Sequence, residues 1–269
     1  MRRLTIGALL VALLAACGGD DEDTAASRAS STTATTTLAP ATTVTTAGTA
    51  TTATTTRPTA TTATTAAPAP ACPANAIAGT PADVTEGTGD FDGDGKGDVL
   101  KAYRLGSTWH LRAELAAGGA ADTTVTPMGP AAVKAIGGAN LGRPNHVAFA
   151  TVGSGASTVI VGLYFLRSCQ LGQVVNEEAA ARFPVGASVG NQSGVECADH
   201  GSDGTQNLLW HEATSNDGTI YRATTKVYAF SGESIATVAP GVVGPSNIAA
   251  GSPGFSKYST LTCGSLKLA

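Results

Sequence analysis

The sequence predicts an all-β domain over residues 72–269, built from three antiparallel meanders, or four if the last segment closes another, and carried on a disordered stalk. Three observations predict it. The C-terminal part is rich in Gly, Val and Thr, lacks a long helical period, and is punctuated by turn signals such as Asn216-Asp217-Gly218. A strand, turn, strand pattern recurs along it, which is the first thing to look for in a chain of this composition. Each recurrence is headed by a loop of Asp, Asn and Gly, of which the first, Gly89 to Leu100, reads GDFDGDGKGDVL.

The chain begins MRRLTIGALLVALLAAC: two arginines, an apolar run from Leu4 to Leu14, then small residues. This is the pattern of an export signal over residues 1–16. Leu14-Ala15-Ala16-Cys17 resembles a bacterial lipobox, which implies cleavage before Cys17 and a lipid on its sulfur. The apolar run falls short of the roughly 20 residues needed to span a bilayer, and Asp20, Asp21, Glu22 and Asp23 follow at once. Residues 17–71 are then mostly Thr, Ala and Pro without apolar periodicity, a composition that cannot offset the entropy of ordering. We expect a stalk stiffened by Pro40, Pro58, Pro68 and Pro70. The net charge is −4, and more negative once Arg2 and Arg3 are removed, which argues against nucleic-acid binding.

In the first loop Asp90, Asp92, Asp94 and Asp98 stand at relative positions 1, 3, 5 and 9, and Gly95 at position 6 supplies a turn with φ > 0. Hard cations such as Ca²⁺ draw carboxylate oxygens from such positions, together with the carbonyl at position 7, here Lys96. An EF-hand needs Glu at position 12, where this chain has Lys101. The spacing, running directly into Val99 and Leu100, resembles instead the calcium loop of FG-GAP or VCBS repeats, the blades of integrin-α-type β-propellers. The resemblance implies propeller-blade-like meanders, one structural Ca²⁺ and a surface offered to a ligand.

Two further copies follow the first. In the last, Asp199, Asp203 and Asn207 fall at positions 1, 5 and 9, with Gly204 at position 6, so a second, weaker cation site is expected there. In the middle copy, counted from Gly138, Asn140 alone matches a ligand position, Arg143 takes the glycine slot, and no metal is expected. After the loops, residues 98–104, 146–152 and 207–213 read as strands. Their partners are residues 108–116, 158–166 and 219–230, and third strands follow at 122–126, 173–175 and 234–238. Residues 132–136 and 187–190 read as opening strands of the later units, and Asn176 to Arg182 as a short helix. Either the last segment, Val242 to Leu268, closes a small fourth unit with a strand at Tyr258 to Cys263, or the meanders form an open arc or a compact sandwich.

Besides Cys17 the chain has Cys72, Cys169, Cys197 and Cys263, an even number in an exported chain, which predicts two disulfides. Four cysteines allow three pairings. Because folds of the family it resembles bring their ends together, the resemblance favours Cys72 with Cys263, and Cys169 with Cys197.

Little else in the sequence carries chemistry. Gly186-Ala187-Ser188-Val189-Gly190 matches G-x-S-x-G, but a turn follows where a nucleophile elbow needs a helix. His110, His146, His200 and His211 are scattered. Trp109, Trp210, Tyr103, Tyr164 and Tyr221 read as packing residues rather than a ligand platform. The expectation is a non-enzymatic, calcium-binding protein held at the membrane by the lipid on Cys17, its β domain facing a protein or glycan ligand at the cell surface. The competing expectation is a hydrolase of envelope or extracellular polymer.

Overall fold

A computed structural model describes residues 72–238 and 247–268; the expected signal segment, Cys17 and the stalk lie outside the described residues. All regular structure there is β apart from one turn of 3₁₀ helix, Phe255–Tyr258. The first meander is β1 (Ala82–Gly89), β2 (Asp98–Leu105), β3 (Thr108–Glu114) and β4 (Ala120–Val125), hydrogen-bonded in that order. The second is β5 (Lys134–Ala139), β6 (Val147–Ser154), β7 (Thr158–Arg167) and β8 (Gln170–Gln173). Two-residue strands β9 (Val175–Asn176) and β10 (Ala179–Ala180) follow, then β11 (Arg182–Ser188). The third meander is β12 (Asn191–Asp199), β13 (Gln206–Thr214), β14 (Ile220–Ser231) and β15 (Ser234–Thr237), and β16 (Ile248–Ala249) and β17 (Leu261–Thr262) complete the chain. β11 pairs with β7 on one side and β12 on the other, so the second and third meanders share one sheet.

The strand patterns follow from what each face meets. β14 alternates as far as Val227, with Tyr221, Ala223, Thr225 and Val227 buried and Ile220, Arg222, Thr224 and Lys226 exposed, as a half-buried strand should be. β6, VAFATVGS, is buried along nearly its whole length because both of its faces are covered. Ala148, Ala150 and Val152 join Leu100, Leu111 and Trp109 in a core shared with the first meander. Val147 and Phe149 face the other way, into a core with Phe183, Val195, Leu208 and Tyr228. The second meander therefore has both faces buried, one against the first meander and the other in the core it shares with the third. A small third core of Ala213, Tyr221, Ala223 and Tyr258 is closed by the C-terminal segment.

β1 and β5 pass so close that side chains are excluded. A Cβ on Gly87 would lie 2.5 Å from the Ile136 carbonyl oxygen, and one on Gly89 would lie 2.9 Å from the Gly138 Cα. This crossing holds the first two loops against each other.

Several expectations are corrected. Asn176 to Arg182 is not helical. The Glu177 turn, at φ 57°, returns β9 into β10, and β9 is captured by the edge of β15. Residues 187–190 do not open the third meander; they are the end of β11 and its turn into β12, which is the opening strand. Residues 258–263 do not make a fourth meander, because β17 joins β12 in parallel instead. The disulfides are Cys72–Cys169 and Cys197–Cys263, not the expected Cys72–Cys263 and Cys169–Cys197. The reason is strand placement. Val195 and Glu196 pair with Leu261 and Thr262, which brings Cys263 beside Cys197, while the β7–β8 turn carries Cys169 to the core where Cys72 is buried.

Candidate metal centre

The loop joining β1 to β2 is drawn tight by its own aspartates. Asp90 accepts hydrogen bonds from the Gly93 and Gly95 N–H groups, at 2.8 and 3.0 Å, on its two oxygens. Asp92 Oδ1 accepts from Asp94 N–H and Asp94 Oδ1 from Lys96 N–H, at 3.1 and 2.8 Å. Gly95 turns the chain at φ 83°. Asp98, the first residue of β2, is almost wholly buried; its oxygens accept from Phe91 N–H at 2.7 Å and Ala116 N–H at 2.8 Å, closing the loop over the buried Phe91 ring.

Asp90, Asp92 and Asp98 each offer one oxygen, all within 4.8 Å of one another, a cluster that can hold a metal ion. Asp94 stands outside it, with Oδ2 at 3.2 Å from Lys96 Nζ. Burial first, and then repulsion from Asp98, Asp94 and Asp90, hold the Asp92 carboxyl above its ordinary pKa. The Lys96 N–H, ahead of the Lys96 ammonium, holds Asp94 below its own. Carboxylates pressed together in this way gain from a cation between them.

The β12–β13 loop repeats this bonding. Asp199 Oδ2 accepts from Gly204 N–H at 2.8 Å, Asp203 Oδ1 from Thr205 N–H at 2.8 Å, and Asn207 Oδ1 from His200 N–H at 3.4 Å. Each bond has its counterpart at the same loop position in the first loop, and Gly204 also sits at φ 83°. The cluster of three carboxyl groups belongs to the first loop, with Gly201 standing where Asp92 does.

The middle loop is one residue shorter than the sequence alignment assumes. Ala139 pairs with Val147 as Gly89 pairs with Asp98 and Ala198 with Asn207. Asn140 thus occupies position 1, not 3, and its Oδ1 accepts from the Gly142 and Arg143 N–H groups at 2.9 and 3.4 Å. Buried Val147 takes the place of Asp98. Arg143 turns outward over the Phe165 and Phe230 rings, 5.6 and 5.4 Å from their centroids.

The loops are joined by contacts that no spacing rule signalled. His146 N–H donates to the Asp90 carbonyl at 2.7 Å, and Asp90 N–H donates back to His146 Nδ1 at 3.1 Å. Asn145 Nδ2 donates to the Phe91 and Leu166 carbonyls. On the first meander's outward face, Asp122 accepts from the Tyr103 hydroxyl and lies 2.9 Å from His110 Nδ1, with His110 stacked on Tyr103. His110 and Asp122 sit opposite Thr124 and Arg112 across β3 and β4, a pairing visible only once the hairpin register is known.

The remaining singled-out residues are not brought together. Ser188 lies on the exposed β11–β12 turn, its Oγ donating to the Asn191 carbonyl at 3.4 Å. His211 is buried between Thr225 Oγ1 and Glu196 Oε2, at 2.8 and 2.9 Å. Tyr103, Trp109, Tyr164 and Tyr221 are buried, and Trp210 carries Lys226 over its ring. Comparison with protein-family models, curated proteins and solved structures returns no match to this chain. The two disulfides are compatible with an extracytoplasmic location.

Proposed function

We propose that this is an exported protein, anchored to the outer face of the cell membrane by a lipid on Cys17, whose β domain is of the FG-GAP or VCBS type and presents a ligand-binding or adhesive surface without catalysis of its own. One Ca²⁺ is held by Asp90, Asp92 and Asp98, with Asp94 and the Lys96 carbonyl completing the shell. The ion ties the β1–β2 loop to Asn145 and His146 of the next loop and so keeps the first two meanders in register. The observation that carries this reading is the convergence of three carboxylates within 4.8 Å on a loop whose every aspartate already bonds the backbone.

The alternation of four-stranded meanders with Asp- or Asn-headed loops supports the repeat assignment, since each loop enters its meander at the same place. The test is thermal unfolding with Ca²⁺ and with a chelator. A ligand bound only by the folded state raises Tm by mass action. We expect a higher Tm in Ca²⁺, lost in Asp92→Ala. Equal midpoints in Ca²⁺ and chelator defeat the cation reading.

A further inference from the structure

Where the second and third loops meet the C-terminal segment there is a cavity of about 290 Å³, lined by Gly138, Asn140, His146, Gln206, Ser265 and the Cys197–Cys263 disulfide. We propose that it binds a small neutral ligand through an acetamido group, and that binding is linked to the cation in the neighbouring loop. The linkage rests on the calcium reading above; the pocket does not. Its volume lies at the small end of ligand sites.

Hydrogen-bond accounting leaves donors on the lining, where Asn140 and Ser265 are exposed and His146 and Gln206 half-buried. His146 Nδ1 already accepts the Asp90 N–H, so in the neutral ring the proton sits on Nε2, which has no hydrogen-bond partner among the described residues. Asn140 Oδ1 already accepts from Gly142 and Arg143, so what Asn140 has left is its NH₂, also without a partner there. Two donors are thus left over, beside the Gln206 amide and the Ser265 hydroxyl, neither of which has a side-chain bond among the described residues. The rest of the wall is glycine, Ala139 and disulfide sulfur.

A group that suits this wall needs an acceptor oxygen for the donors and a compact apolar part for the sulfur side. A carbonyl bearing a methyl group has both. An anion is disfavoured, because the lining holds no Lys or Arg while Asp90 is bonded to His146 and Asp199 pairs with Gln206. Linkage follows from His146, which is bonded to the Asp90 main chain in both directions. A ligand carbonyl on Nε2 holds the tautomer that accepts from Asp90 and so favours the loop conformation that cages the cation. By reciprocity, the cation favours the ligand by the same factor.

The experiment is calorimetric titration of the chain with N-acetylglucosamine, with glucose as the probe lacking the acetamido group, each in Ca²⁺ and in chelator. We expect binding of N-acetylglucosamine alone, weakened at least about fivefold by the chelator. Asn140→Asp, which keeps the acceptor oxygen and replaces the donor by a charge, should weaken binding about tenfold while leaving the calcium-dependent rise in Tm intact. His146→Phe should abolish both binding and linkage. Equal binding of both sugars, or of neither, by a chain that still responds to Ca²⁺ overturns the pocket and leaves the metal centre standing. Sugar affinity unchanged by the chelator overturns the linkage. A chain with no Ca²⁺ response defeats the metal reading, and the pocket is then judged on the sugar titration alone.

Discussion

Asp98 and Asp92 stand in one loop, yet they do different work. Asp98 is buried and bonds two backbone N–H groups, Phe91 and Ala116, before any ion is considered. Asp98→Ala strands both donors and should cost about 2–4 kcal/mol in chelator as well as in Ca²⁺. Asp92→Ala gives up only the one bond from Asp94 N–H and relieves repulsion within the loop, so most of its loss in Tm should be seen when Ca²⁺ is present. Denaturant unfolding of both variants with and without chelator separates them, and equal calcium dependence of the two losses would contradict this division. His211 gives a pH signature. Burial holds its pKa below the ordinary 6.5, against the pull of the Glu196 carboxylate, so it folds neutral. Below pH 6.5 the unfolded chain takes up a proton that the folded chain refuses, so stability is full above that pH and falls as pH drops towards the lower folded value. His211→Gln should flatten that part of the curve of unfolding free energy against pH; an unchanged slope would place its source elsewhere.

The loops and the β1–β5 crossing are where single glycines decide whether an element forms. Gly95→Ala meets open space but must adopt φ 83°, which costs about 1–2 kcal/mol. Gly87→Ala drives a Cβ to within 2.5 Å of the Ile136 carbonyl and must part β1 from β5. We expect Gly87→Ala to be the more damaging, with faster amide exchange along β1 and β5; similar losses for the two would mean that the crossing gives way easily. Position and residue type alone announced the first loop and most strands, because Asp and Gly spacing and period-2 alternation are local properties. The middle loop was misaligned, by two positions at Asn140 and by one at its far end, because its ligand positions are degenerate, and only the pairing of Ala139 with Val147 sets its length. The Asn176 to Arg182 stretch has helical caps in sequence, yet its backbone groups find better partners at the edge of β15. His146 could not be recognised from spacing at all, since its partner Asp90 is 56 residues away.

In the whole molecule the two bridges close long stretches of chain, Cys72 to Cys169 around the first and second meanders and Cys197 to Cys263 around the third. Removing either should cost about 2–5 kcal/mol. Non-reducing digestion should yield peptides joining Cys72 to Cys169 and Cys197 to Cys263; a fragment joining Cys72 to Cys263 would show a different closure. The sequence by itself determined what depends on neighbours along the chain: the β class, the aspartate loop and its echo at Asp199, the strand pairs flanking each loop, and that four cysteines should pair. Tertiary structure alone decided what depends on neighbours in space. These are the sharing of one sheet by the second and third meanders, the docking of β17 on β12 that selects the cysteine partners, and the meeting of His146 with Asp90. Local chemistry limits each residue to a few conformations, but which distant segments share a core is settled only when all the apolar faces are buried together.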